Sequence, residues 1–185
     1  MFDNGFLEST RLAEYLPEDD PNAFEVFIGW LYRGTVNTTP SPERFISVLL
    51  TKLFFFAEKY GIVPLMDNAM DLIVDNQRGR SVSFLPSHYK WVYEKTRQAS
   101  KIRLYVAHTC AYLILTTNTD STSGLWSNEN LQKVLSSTFD LLHDVLALMR
   151  QKNGIEVPHP RDMPPCTFHQ HADNEKCPYN KISKK

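Results

Sequence analysis

No charge of either sign prevails in this chain. It carries 20 lysines and arginines against 21 aspartates and glutamates, for a formal net charge of -1. That balance leaves no electrostatic footprint for a nucleic acid or an acidic membrane surface. No apolar run approaches the length needed to cross a bilayer. The opening stretch MFDNGFLEST has neither a basic n-region nor an apolar h-region, so no secretory signal is expected in it. Cysteine is scarce, with three residues in an odd count that makes no disulfide framework. The expected compartment is therefore reducing and intracellular, cytoplasm and nucleus being equally compatible. Glycine is scarce too, 7 residues without a cluster, which removes the phosphate-cradling loops. A Gly-x-Ser-x-Gly elbow is also missing.

What the chain does have is apolar surface. Of its 185 residues, 42% are hydrophobic and 12% aromatic, enough for a packed core. The pattern is helical throughout. In DDPNAFEVFIGWLYRG, Asp20 reads as an N-cap, Pro21 as a first-turn residue and Gly34 as a C′ stop. Phe24, Phe27, Ile28 and Leu31 share one face, while Val26, Trp30 and Tyr32 make the other faces apolar, which predicts a core helix. The same grammar recurs over 41–61. Ser41 reads as the cap and Pro42 as the start; Phe45, Val48, Leu49, Phe56 and Tyr60 read as the inward face, and Gly61 as the stop. Pro64 opens a third helix through Leu65, Ala69, Leu72 and Ile73. The polar, aperiodic QRGRSVS then marks a boundary.

Beyond it, Pro86 to Thr96 predicts a short helix with Trp91 and Tyr93, and Ser100 caps a longer one, KIRLYVAHTCAYLILT. After the loop TTNTDSTSG, Ser127 caps what reads as one long helix with Leu131, Val134, Leu135, Leu142, Leu146 and Met149 inward. From Ile155 the chain is Pro-rich and aperiodic, and proline bars regular helix there. No internal repeat is present.

Single histidines at positions 88, 108 and 143 fall in expected helices, where a lone imidazole is usually structural. Cys110 sits in an apolar helix and reads as inert core. Glu18, Asp19 and Asp20 read as a solvated turn and a helix cap rather than paired catalytic acids. No catalytic residues are therefore expected, and no small-molecule substrate.

The first block carries an ordered set of motifs. MFDNGFLES is followed by the Asp-Pro-x-Ala-Phe start of a helix that ends Leu31-Tyr32-x-Gly34. Ala57-Glu58-Lys59-Tyr60 comes next, then a Leu-Met-Asp helix. In that order they resemble the second half of a BTB/POZ domain. The resemblance implies a partial BTB/POZ domain over 1–76. It would be followed by a helical extension over 77–154, as in fungal BTB proteins, and a Pro-rich tail over 155–185. The expected class is thus mostly α: the C-terminal helical part of an α+β domain, with the family's strands and first helix before Met1. The implied function is a non-catalytic protein-interaction module that self-associates or binds a partner. In family members that serve cullin-type ubiquitin ligases, a hydrophobic-x-acid triplet touches the cullin. The matching stretch here is Phe6-Leu7-Glu8, which makes Phe6 and Glu8 candidate partner-binding residues. A transcription-associated role is a further alternative, although direct DNA contact is not expected from the charge balance. The basic end KISKK reads as a solvated tail.

The resemblance to fungal BTB proteins takes in the Cys/His tail but implies no role for its cluster. CTFHQHADNEKC holds Cys166, His169, His171 and Cys177 in a Cys-x2-His-x-His-x5-Cys pattern. Two thiolates and two imidazoles are a full tetrahedral set for structural zinc. A Cys-x2-His step suits a tight turn, and His169 and His171 fall on one side of an extended segment. A polar tail without metal and a Cys166–Cys177 disulfide are the alternatives.

Overall fold

The computed structural model describes residues 18–38, 43–78, 84–116, 124–152, 157–171 and 175–178. Among them are seven α-helices and no strand, so the chain is mostly helical, and no helix is long and apolar enough to cross a membrane.

Helix α1, Pro21–Arg33, forms where its caps place it. The Asp20 carboxylate accepts from the backbone N–H groups of Asn22 and Ala23 at 3.1 Å each. Gly34, at φ 69°, takes the left-handed conformation and donates to the Trp30 carbonyl at 2.7 Å. The expectation of a core helix is not met. Only Ala23 is fully buried, while Leu31 is 58% and Tyr32 84% exposed. Apolarity says which side chains seek cover; the number of neighbours decides how many find it. The main packing partner of α1 is α2, Glu43–Lys59, and the rings of Phe24 and Phe27 meet Phe56 at 6.0 and 5.0 Å.

In α2 the inward face also differs from expectation. Leu50, Leu53, Phe54, Phe56 and Ala57 are buried, whereas Phe45 and Tyr60 are exposed. The run LLTKLFFF offers apolar side chains on every side, so the packing against α1 and α3 chooses the face. Gly61, at φ 67°, ends the helix as its sequence implies. Helix α3, Val63–Arg78, lies along α2 and buries Leu65, Met66, Ala69, Met70, Ile73 and Val74.

Helices α4, Pro86–Lys95, and α5, Lys101–Thr116, follow. The segment expected as one long helix is two, α6 at Asn128–Ser137 and α7 at Phe139–Lys152. The break is at Thr138, φ -140° and ψ 80°. Its cause is local. The hydroxyls of Ser136 and Ser137 donate to the carbonyls of Lys133 and Val134 at 3.2 and 3.0 Å. Such side chains compete with the backbone for its own acceptors. The bend lets α6 pack on α4 while α7 packs on α5.

α5 is the axis of this half. Every residue from Tyr105 to Ala111 is buried, so no face of it meets water along that stretch. Its one deeply buried charge is tied on several sides. Arg103 donates to the backbone carbonyls of Tyr93 and Thr96, to the Thr96 hydroxyl at 3.1 Å and to Asp140 at 3.3 Å. The Tyr93 hydroxyl in turn donates to Asp144 at 2.7 Å, so α4, α5 and α7 close on one polar knot. A single hydrophobic core runs from Leu50 through the later helices to Phe168.

The tail contains no α-helix among its described residues, only two 3-10 turns at Pro160–Asp162 and Pro165–Phe168. It nevertheless lies against α3 and α5. The Arg78 guanidinium donates to the Arg161 carbonyl, and the His159 ring sits 4.6 Å from Tyr112. Phe168, 1% exposed, meets the Tyr105 ring edge-on at 5.0 Å. This seat brings the Cys/His segment onto α3.

Candidate metal centre

Cys166 closes the second 3-10 turn onto His169, whose N–H donates to the Cys166 carbonyl at 3.2 Å. The tight turn that the Cys-x2-His spacing requires is therefore formed. From it the chain runs in extended conformation at His169, φ -87° and ψ 159°, toward His171. Cys177 returns to the same place. One ligand atom from each of Cys166, His169, His171 and Cys177 lies within 4.8 Å of all the others. The structure thus brings together all four residues that the sequence singled out.

Two measurements test whether the group suits a cation. A tetrahedral ion about 2.3 Å from sulfur and about 2.0–2.1 Å from nitrogen holds neighbouring S and N atoms about 3.5 Å apart. Cys177 Sγ and His169 Nδ1 are 3.6 Å apart. His169 Nε2 lies 3.0 Å from Asp71 Oδ1, which leaves Nδ1 as the atom facing the cluster. A carboxylate on the far nitrogen of a ligand histidine fixes its ring and raises its basicity.

The electrostatics run the same way. Burial alone would push the His169 imidazole down, but the hydrogen bonds to Asp71 and Cys177 and the charges of Asp71 and Asp67 outweigh it. Its pKa stands above the ordinary histidine value, so this pocket favours positive charge. Cys166 is pushed up by burial and by the neighbouring Cys177 thiol. Two thiols this close resist ionising unless a cation compensates them.

α3 supplies what sequence reading missed. Asp67, 1% exposed, accepts from the Gln170 backbone N–H at 2.8 Å, and Asp71 holds His169. The pair stands one helical turn apart in MDNAMDLI, beside the apolar face of the helix that buries Met66, Met70 and Ile73. That spacing was the available signal, since a buried carboxylate requires a partner.

The other titratable residues lie elsewhere. His88 and His108 are held below the ordinary histidine value by burial, and His143 lies on the surface 3.4 Å from Asp144. Burial pushes the Cys110 thiol up to about 12, so this cysteine is an inert part of the core. Asp19 pairs with Lys59 at 3.1 Å and accepts from Tyr60 at 2.7 Å, while Asp20 pairs with Lys52. Those acids fasten the start of α1 to α2. Phe6 and Glu8, the candidate partner-binding residues, lie outside the described residues.

Comparison with known proteins adds one likeness. Over 75 residues, 40% of the chain, it is 29% identical to a BTB/POZ domain-containing protein of Arabidopsis thaliana. The matched stretch covers 9% of that protein's length. No family model and no solved structure matches the chain. The likeness names the same family, BTB/POZ, that the motifs of the chain resemble.

Proposed function

We propose that the chain is a non-catalytic protein-interaction module of BTB/POZ type whose C-terminal tail is pinned by a structural zinc ion. The observation that carries the interaction half is α1: a fully capped helix that turns Phe24, Leu31 and Tyr32 to solvent, with Phe45 of α2 exposed as well. Exposed apolar side chains gathered on one element mark a contact surface rather than a folding error. The zinc half rests on the four ligand atoms within 4.8 Å and on Asp71 behind His169.

Cys166, His169, His171 and Cys177 would fill all four positions of a tetrahedral zinc site. No open position would remain for water or substrate, so the role is structural. Zinc would supply charge compensation for two thiolates and folding energy for a segment that has no α-helix among its described residues. Asp71 orients the His169 ring, and Asp67 holds the Gln170 backbone. Nothing in the described residues favours the narrower readings, a cullin adaptor or a transcription-associated regulator.

Light scattering tests the first half. A Leu31→Asp, Tyr32→Asp double variant should lose the self-association or partner binding of the parent chain while keeping its helical circular dichroism. Association that survives both changes overturns the assignment of α1. Metal analysis of chelator-free protein tests the second half, with one zinc per chain expected and none in a Cys166→Ser, Cys177→Ser variant. A parent chain that purifies without zinc, and takes none up when reduced, contradicts it.

A further inference from the structure

The three cysteines fall into two chemical classes. Cys110 is 0% exposed in the middle of α5. Cys166 and Cys177 are only partly buried, and their sulfur atoms are no more than 4.8 Å apart. A disulfide needs about 2.05 Å between sulfurs. Closing the difference asks for a small movement of two side chains whose described neighbours form 3-10 turns and bends rather than α-helix. The surrounding contacts are made by residues other than the two cysteines. Phe168 is seated on Tyr105, the Gln170 N–H on Asp67, and the Arg161 carbonyl on Arg78.

We propose that Cys166 and Cys177 are a reversible thiol–disulfide pair, and that closing their bond expels the metal from the Cys/His site. The inference rests on the zinc reading above and adds its regulation. The oxidant is a two-electron peroxide. The Cys166 thiolate sulfur attacks a peroxide oxygen, the O–O bond breaks, and a sulfenic acid and hydroxide result. The Cys177 thiolate then attacks the sulfenic sulfur, forming the S–S bond and expelling a second hydroxide. Two protons from solvent convert both hydroxides to water. The two sulfurs together lose two electrons, and hydrogen peroxide gains them. A disulfide sulfur is no longer an anionic ligand, so the ion keeps two imidazoles of its four donors and leaves as a divalent cation. A dithiol reductant returns two electrons and two protons, and the site reloads.

The position of the pair suits this chemistry. Both sulfurs belong to one short segment, so the disulfide closes a small loop and leaves the helical core alone. His169 keeps its hydrogen bond to Asp71 after the ion has gone, which holds half of the site in place for reloading. Cys110 gives an internal control on the same chain.

Zinc-loaded, full-length protein is treated with hydrogen peroxide in the presence of a chromophoric zinc indicator, and intact mass is read in parallel. The proposal expects one zinc released per chain, with a mass loss of about 2 Da for the disulfide. Cys110 should remain unmodified, and dithiothreitol with added zinc should restore both readings. A Cys177→Ser variant should show no such mass loss. A wild-type chain that keeps its zinc under peroxide overturns the proposal. So does a gain of about 32 Da, the sulfinic acid, in place of the loss. Failure of the parent reading is separate, because a reduced chain that never takes up zinc gives no indicator signal at all. That outcome removes the metal expulsion, and the mass reading then decides the thiol pairing alone.

Discussion

α1 and the tail reverse the usual link between regular structure and burial. The helix is capped at both ends and apolar on most sides, yet it buries only Ala23 completely. The tail has no α-helix among its described residues, yet it buries Val157, Pro160, Phe168 and His169. The difference teaches what holds each. Local rules specify α1: a carboxylate over the first N–H groups and a glycine that can turn left. The tail is specified from outside, by a ring slot on α5 and by two carboxylates and a guanidinium on α3. Sequence signals for the first kind of order sit beside the segment; for the second they lie 63 to 103 residues away.

The sharpest contrast comes from removing one ring from each region. Phe168→Ala should cost about 3–5 kcal/mol, because a fully enclosed phenylalanine leaves a cavity behind. Tyr32→Ala, 84% exposed in the parent, should change stability by no more than about 0.5 kcal/mol. Denaturant midpoints at fixed zinc concentration measure both. Similar costs would mean that burial does not separate the two regions.

A smaller effect separates the metal from the fold. Asp71→Asn should weaken zinc binding by about 10–100-fold, since it alters the group that orients His169. Competition with a calibrated chelator reads that change. Helical circular dichroism should stay that of the parent, because Asp71 contributes its carboxylate to the tail rather than to the packing of α2 on α3. An unchanged affinity would remove Asp71 from the site.

The smallest effect belongs to the cap. Asp20→Ala should cost about 0.5–2 kcal/mol, felt at the start of α1 and its tie to Lys52 of α2. It should also flatten the acid limb of stability. Burial tends to raise the Asp20 pKa, but the bonds to Lys52, Ala23 and Asn22 prevail and hold it below its ordinary 3.8. The unfolded chain therefore takes up this proton at higher pH than the folded one. The stabilisation is present above the ordinary carboxylate value and is lost as pH falls through the lowered folded value. Thermal melts of parent and variant across that acid range check the sign: the gap between them should narrow as pH drops.

The fold was legible wherever a rule is local. The caps of α1, the stops at Gly34 and Gly61, and the start of α6 at Ser127 follow from residues next to one another. What failed were judgements about neighbours. α1 was expected in the core because its faces are apolar, and Phe45 and Tyr60 were expected inward because their spacing fits a helix face. In both cases the missing information was which partner lay alongside. The break at Thr138 failed for a different reason, since serines 136 and 137 satisfy local carbonyls that a continuous helix would need. The Cys/His cluster was readable because four scarce residue types fall within one short stretch. Asp67 and Asp71 were not, because no sequence rule pairs a residue of α3 with one in the tail.

The most direct test of this account is hydrogen exchange across the tail, with zinc bound and after chelation. The account predicts that the amides from 166 to 171 lose protection when zinc is removed. The Gln170 N–H on Asp67 should exchange at least about tenfold faster. The amides of α5 should be unchanged. Equal protection of the tail in both states, with zinc shown to bind, would contradict the claim that a metal tie among its own four side chains orders this segment.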